Sequence, residues 1–223
     1  MFFINIFDLI GPIMVGPSSS HTAGAVNIAR AARMLLGEDV KKAKITLYGS
    51  FAHTYTGHGT DKALIAGLMD FKPEDERIRD SDDIAKEKGI EIEFIAIETG
   101  NNEHPNTAIL DLEGIYGAKT VVQGASVGGG NIRITKINGA LVDFSCQYYT
   151  LVGVIADTPG MVGATTTILG KHKINIAGVR AYRRTKGTSE TVVLETDQPI
   201  TEDILNEIKA IPGVINLIFV NRL

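Results

Sequence analysis

Two histidines stand in loops whose residue types suit proton transfer beside a bound anion. The first lies in Gly16-Pro17-Ser18-Ser19-Ser20-His21-Thr22, where four hydroxyl residues flank His21 directly after a Gly-Pro turn. A small-residue helical run follows from Ala23 to Leu36. Ser or Thr at such a start accepts from free backbone N–H groups of the first turn. That helix end also carries partial positive charge, which suits a carboxylate or phosphate. An imidazole there titrates near neutrality and can give or take a proton. The second is His58, held between glycines in Thr56-Gly57-His58-Gly59-Thr60-Asp61. Thr60 or Asp61 is read as the cap of a helix over 62–69. Two His/Ser/Thr/Gly loops, each leading into an Ala-rich helix, are expected to meet at one site. His53, in the same loop, is read as incidental, and His104 and Asn106 as polar residues of a turn-rich loop.

A third segment, Ser126-Val127-Gly128-Gly129-Gly130, offers either backbone N–H groups for an anion or simply a tight glycine bend. It is neither Gly-x-Gly-x-x-Gly opening a helix nor a phosphate loop with lysine, so nucleotide binding is not indicated. The acidic run Asp80 to Glu87 lacks a calcium-loop pattern.

The elements that must position these residues follow from periodicity. Helices are expected over 22–36, 62–69 and 80–89, and strands over 44–49, 91–97, 108–112, 119–127, 131–137 and 140–144, the last two joined by an Asn138-Gly139 hairpin. Residues 1–15 read as a short turn or helix, and Phe71 to Arg77 as a solvated charged stretch. The final third runs strand 150–156, helix 161–172, strands 175–182 and 189–196, helix 200–209 and strand 214–220, with Arg183 to Gly187 as a hairpin. That βαββαβ order predicts a ferredoxin-like unit, an antiparallel sheet with two helices on one face. The boundary is placed between Cys146 and Tyr149, giving domains 1–146 and 150–223.

The 223 residues are 44% hydrophobic and only 6% aromatic, with no Trp, so Ile, Leu, Val and Ala must build the cores. Net charge is -4, and the absence of a basic run argues against nucleic acid. No apolar run is long enough to span a bilayer, and the N-terminal stretch lacks the basic region of a signal peptide. The one cysteine, Cys146, excludes an internal disulfide and a cluster or zinc site built from this chain's thiolates alone. A cytoplasmic protein is expected.

The last third resembles an ACT domain through Asp157-Thr158-Pro159-Gly160-Met161-Val162, Asn175-Ile176-Ala177 and Ile211-Pro212-Gly213-Val214. The resemblance implies side-by-side pairing of two such domains, hence a homodimer, and places Asp157 and Asn175 where serine-binding members hold their effector. Ile155 stands where such a member has a histidine. The first two-thirds resemble the β chain of bacterial iron–sulfur-dependent L-serine dehydratases, through the Gly16–Thr22 segment, Tyr48-Gly49-Ser50 with Thr56 to Asp61, and Ser126 to Gly130. The resemblance implies an α+β fold like the allosteric substrate-binding domain of some phosphoglycerate dehydrogenases. It also implies a partner α chain whose cysteines hold a [4Fe–4S] cluster, and conversion of L-serine to pyruvate and ammonia without pyridoxal phosphate. In that reaction an iron with an open position acts as Lewis acid on the serine hydroxyl, and a base removes the Cα proton. His21 and His58 are the acid–base candidates, their roles interchangeable at this point. Ser18, Ser19, Ser20 and Thr22 suit the substrate carboxylate, with Thr60, Asp61, Ser126, Gly128 and Gly129 as further contacts. The rival reading makes the serine loop a non-catalytic amino-acid sensor that regulates a partner enzyme. A third, an adaptor module, leaves the two histidine loops unexplained.

Overall fold

The computed structural model describes residues 12–54, 57–97, 104–183 and 187–223. Of the expected N-terminal turn or helix, residues 1–11 lie outside the described residues, as do Tyr55, Thr56 and Arg184 to Lys186. Residues 12–15 are not helical. The chain divides into two compact units, Met1–Asn138 and Gly139–Leu223.

In the first unit Ser18 opens a single π-helical turn, Ser19–Ala23, which runs directly into α1, Gly24–Leu36. Gly37 ends α1 in the left-handed conformation, with φ of 81°, a frequent helix stop. β1 (Val40–Tyr48) follows, then a short α2 (Ser50–Thr54), α3 (Thr60–Leu68), a 3₁₀ turn (Glu76–Asp80) and α4 (Ser81–Glu87). β2 (Glu91–Ile97), β3 (Thr107–Gly114), β4 (Lys119–Gly128) and β5 (Asn131–Ile137) complete the unit. These strands hydrogen-bond in the order β2-β1-β3-β4-β5. Only β1 and β2 run parallel, because the helical crossover α2-α3-α4 joins them. β1 alternates, sending Ala43, Ile45 and Leu47 inward and Lys42 and Lys44 outward.

α1 lies on the sheet and α3 lies on α1. Ala25, Ile28, Ala29 and Ala32 of α1 are wholly buried. Their small volumes let α3 approach so closely that a Cβ on Gly67 would stand 2.4 Å from the Val26 carbonyl oxygen and 2.7 Å from Ala29 Cβ.

Four expectations need correction. The loop after β1 contains α2, because Thr54 Oγ1 donates to the Ser50 carbonyl at 2.8 Å and closes a turn. Neither Thr60 nor Asp61 caps α3. Its N-cap is Gly59, whose left-handed φ of 67° turns the chain into the helix. The stretch 71–77 is not simply solvated. Phe71 is buried beneath the Arg77 guanidinium, 4.0 Å from its ring centre, and Asp75 caps the 3₁₀ turn. β1 also begins at Val40, earlier than the alternation from Lys44 indicated.

The second unit comprises β6 (Ala140–Phe144), β7 (Tyr149–Ala156), α5 (Met161–Lys171), β8 (Ile176–Arg183), β9 (Ser189–Thr196), α6 (Glu202–Lys209) and β10 (Val214–Val220). From β7 onward the order is the expected βαββαβ. The sheet β10-β7-β9-β8 is antiparallel between neighbours. Leu151, Ile155, Val192 and Leu194 of the sheet meet Leu169, Ile204 and Ile208 of the helices in one core. Cys146 is 1% exposed, and burial raises its thiol far above the ordinary value, so it is an inert core residue. No helix among the described residues is long and apolar enough to cross a membrane.

Candidate active site

The π-turn and α2 build the site around His21. Ser18 lies in extended backbone, and its Oγ accepts from the His21 backbone N–H at 3.1 Å, one of the donors a helix start leaves unpaired. The same Oγ stands 3.4 Å from His21 Nδ1. On the other side of the ring, Nε2 lies 3.0 Å from Ser50 Oγ. Where Ser18 donates to Nδ1, Nε2 carries the proton and donates to Ser50; the opposite tautomer reverses both bonds. Either way both ring nitrogens have a hydroxyl partner, and the imidazole is oriented before any ligand arrives.

Ser50 was not foreseen as a site residue, although it belongs to the Tyr48-Gly49-Ser50 segment. The signal was Gly49. Its φ is 56°, and a Cβ there would stand 2.7 Å from the Pro105 carbonyl oxygen. That close crossing fixes where α2 begins, and so where Ser50 points.

His58 completes the pair. Its ring centre lies 5.3 Å from that of His21, and the Phe51 ring meets His21 edge-on at 5.2 Å. Burial holds the His21 pKa below the ordinary imidazole value, and the charge of His58 lowers it further, against an opposing contribution from Ser50. His21 is therefore held neutral near pH 7, the form needed in a base. A testable consequence concerns the ring titration. By NMR, His21 should titrate below about pH 6.5. In His58→Gln its midpoint should move upward while remaining depressed, since burial persists. An unmoved midpoint would show that the two rings are not electrostatically coupled.

A cleft of about 310 Å³ opens beside the His58 ring, bordered by Gly16, Pro17, Thr22, His58, Lys62 and Arg79, among others. Thr22 is 2% exposed, and its Oγ1 has no hydrogen-bond partner among the described residues. Gly16 is required behind it, since a Cβ there would stand 2.4 Å from that same oxygen. The first two expected loops thus meet, as Ser18, His21, Thr22 and His58. Ser19 and Ser20 are half-buried within the π-turn.

The other expected contacts are placed differently. Thr60 is wholly buried with its Oγ1 unpartnered, and Asp61 accepts from the Lys62 N–H at 2.9 Å, its pKa raised by burial. Ser126 is wholly buried against Gly24, its Oγ also unpartnered. Gly128 and Gly129 turn between β4 and β5 with φ of 105° and 62°. The turn is fastened to α1 by Asn27 Nδ2, which donates to the Gly130 carbonyl at 3.0 Å. His53 is exposed, and His104 Nδ1 accepts from the Asn106 N–H within its own turn at 3.2 Å. In the second unit, Asp157 accepts from Arg183 at 2.6 Å and from the Gly187 N–H at 2.7 Å. Asn175 donates to Asp197 at 2.6 Å. An effector at these two residues would have to displace bonds that fasten the domain's own loops.

Residues 5–136 match the serine dehydratase beta chain family, and over 217 residues the chain is 41% identical to a Bacillus subtilis protein described as a probable L-serine dehydratase, beta chain. The chain belongs to the serine dehydratase beta chain family. That alignment spans 97% of this chain and 98% of its relative. The L-serine dehydratase beta chain of Peptoniphilus asaccharolyticus is 37% identical over 202 residues, 91% of each chain. Residues 148–213 match the ACT domain family, so the C-terminal βαββαβ fold is an ACT domain. The D-3-phosphoglycerate dehydrogenase of Archaeoglobus fulgidus is 28% identical over 199 residues, which span 88% of this family member but 37% of the dehydrogenase. The α+β reading of both units, and the likeness of the first to a region of phosphoglycerate dehydrogenases, are borne out.

Proposed function

We propose that this chain is one half of a two-chain L-serine ammonia-lyase, converting L-serine to pyruvate and ammonia together with a cluster-bearing α chain. The observation that carries the reading is His21 held between Ser18 and Ser50, kept neutral, with its ring centre 5.3 Å from that of His58, which itself borders a cleft sized for a small metabolite. The curated relatives named as L-serine dehydratase beta chains support the substrate.

The donor set of this chain does not fit an iron–sulfur cluster. Its one cysteine is buried and protonated, and no group of three or more His, Cys, Asp or Glu among the described residues is arranged to hold a metal. The reading accordingly assigns the [4Fe–4S] cluster and the activation of the departing hydroxyl to the α chain. This chain contributes proton transfer at His21 and His58, orientation by Ser18 and Ser50, and a walled cleft beside them. Pairing of two chains through their ACT domains is part of the same proposal. It is supported by the edge strand β8, whose Val179 is 47% exposed. A cytoplasmic location accords with a reduced, air-sensitive cofactor.

The test is pyruvate formation from L-serine without oxygen, by this chain, by the α chain and by the mixture. Activity confined to the mixture is the expected result. An α chain that turns over fully alone would reduce this chain to a regulator.

A further inference from the structure

We propose that Lys62 and Arg79 are the carboxylate-recognising pair of the cleft, seating the substrate's carboxylate beside His58. This inference rests on the proposed reaction, and it concerns two residues that neither the histidine loops nor the serine-rich segment contain. Both border the cleft, and none of the residues bordering it is acidic. The contrast with the neighbouring arginines is informative. Arg30 pairs with Asp70, Arg33 with Asp39, and Arg77, in the same 3₁₀ turn as Arg79, with Asp75. Arg79 has no carboxylate partner among the described residues. The Lys62 ammonium donates to the Arg79 carbonyl oxygen at 2.5 Å, which ties the 3₁₀ turn to the first turn of α3 and leaves its positive charge uncompensated by any ion pair there.

A second observation points to a ligand independently of charge. Thr22 borders the same cleft with its buried Oγ1 unpartnered among the described residues. A buried hydroxyl without a partner costs free energy unless a bound group satisfies it. A small amino acid or hydroxy acid supplies what is missing. Its carboxylate meets two cations and a hydroxyl, and its Cα faces the imidazole of His58. The guanidinium fork suits the planar carboxylate, and the ammonium adds a point charge.

The first arm uses the assembled two-chain enzyme. Arg79→Gln and Lys62→Met are each expected to raise KM for L-serine roughly 10- to 100-fold, by more than they lower kcat. Inhibition by L-lactate should weaken in parallel, while inhibition by L-serine amide, which lacks the carboxylate, should not. Unchanged KM and unchanged L-lactate inhibition in both variants would overturn the proposal. The second arm uses this full chain alone, so that failure of the reaction assignment is read separately. L-lactate should shift the His58 ring resonances saturably in the wild-type chain and not in Arg79→Gln. If the mixture proves inactive on L-serine but this shift is present, the anion seat stands and the reaction assignment falls. An equal shift in wild type and variant, or none in wild type, overturns the seat.

Discussion

His21→Ala in the assembled enzyme is expected to cut turnover on L-serine by about 10²- to 10⁴-fold, the usual contribution of one positioned acid or base. The chain should still fold and still bind its partner. The side chain is half-buried at the edge of the first unit, and the π-turn is closed by backbone bonds and the Ser18 cap, neither of which needs the imidazole. The sign of the pH effect follows from burial and His58. Because the pKa of His21 lies below its ordinary value, the wild-type kcat/KM should hold its plateau to more acid pH than a free imidazole would allow. The same depression means that protonating His21 favours the unfolded chain. Its contribution to stability is present above the ordinary imidazole pKa and is lost as pH falls through the folded value. Far-UV circular dichroism and co-purification with the α chain would establish that the variant is intact. Near-full turnover in an intact variant would remove His21 from proton transfer and move the role to His58.

Gly67→Ala should destabilise the first unit by about 1–3 kcal/mol, the usual cost of overpacking, although alanine is the better helix former by about 1 kcal/mol. The added methyl would stand 2.4 Å from the Val26 carbonyl oxygen, an atom of backbone that cannot rotate aside. α1 and α3 would have to part, and both carry the site: Thr22 leads into α1, while His58 and Lys62 flank the start of α3. Thermal unfolding of the full chain should show the loss directly. A variant as stable as wild type would mean that the two helices can slide without cost, and that the small-residue face of α1 is not what sets their spacing.

That face was legible beforehand. The alanines of α1 announced a close helix contact, and alternation placed β2, β5, β6, β9 and β10 at their observed bounds. The two histidine loops were legible as one site because their residue types duplicated each other. What could not be read depended on tertiary geometry. Ser50 becomes a partner of His21 only because Gly49 crosses Pro105. Arg79 fell between the charged stretch 71–77 and the helix expected from Asp80 and was not singled out, because pairing is a property of positions: Asp75 claims Arg77, while Arg79 borders the cleft. Thr60 and Asp61 satisfied every local rule for a cap, yet a left-handed glycine one residue earlier took that place.

The contact between Gly24 and Ser126 bears on how this sequence can drift over generations. A methyl at position 24 would stand 2.1 Å from Ser126 Oγ and 2.7 Å from its Cβ, so no rotation of the hydroxyl makes room. Only loss of the serine Cβ would relieve it. The two positions, far apart in the chain, are coupled in one direction: among descendants of this sequence a larger residue at 24 requires glycine at 126, and a lineage that enlarges position 24 alone loses the fit between the start of α1 and β4.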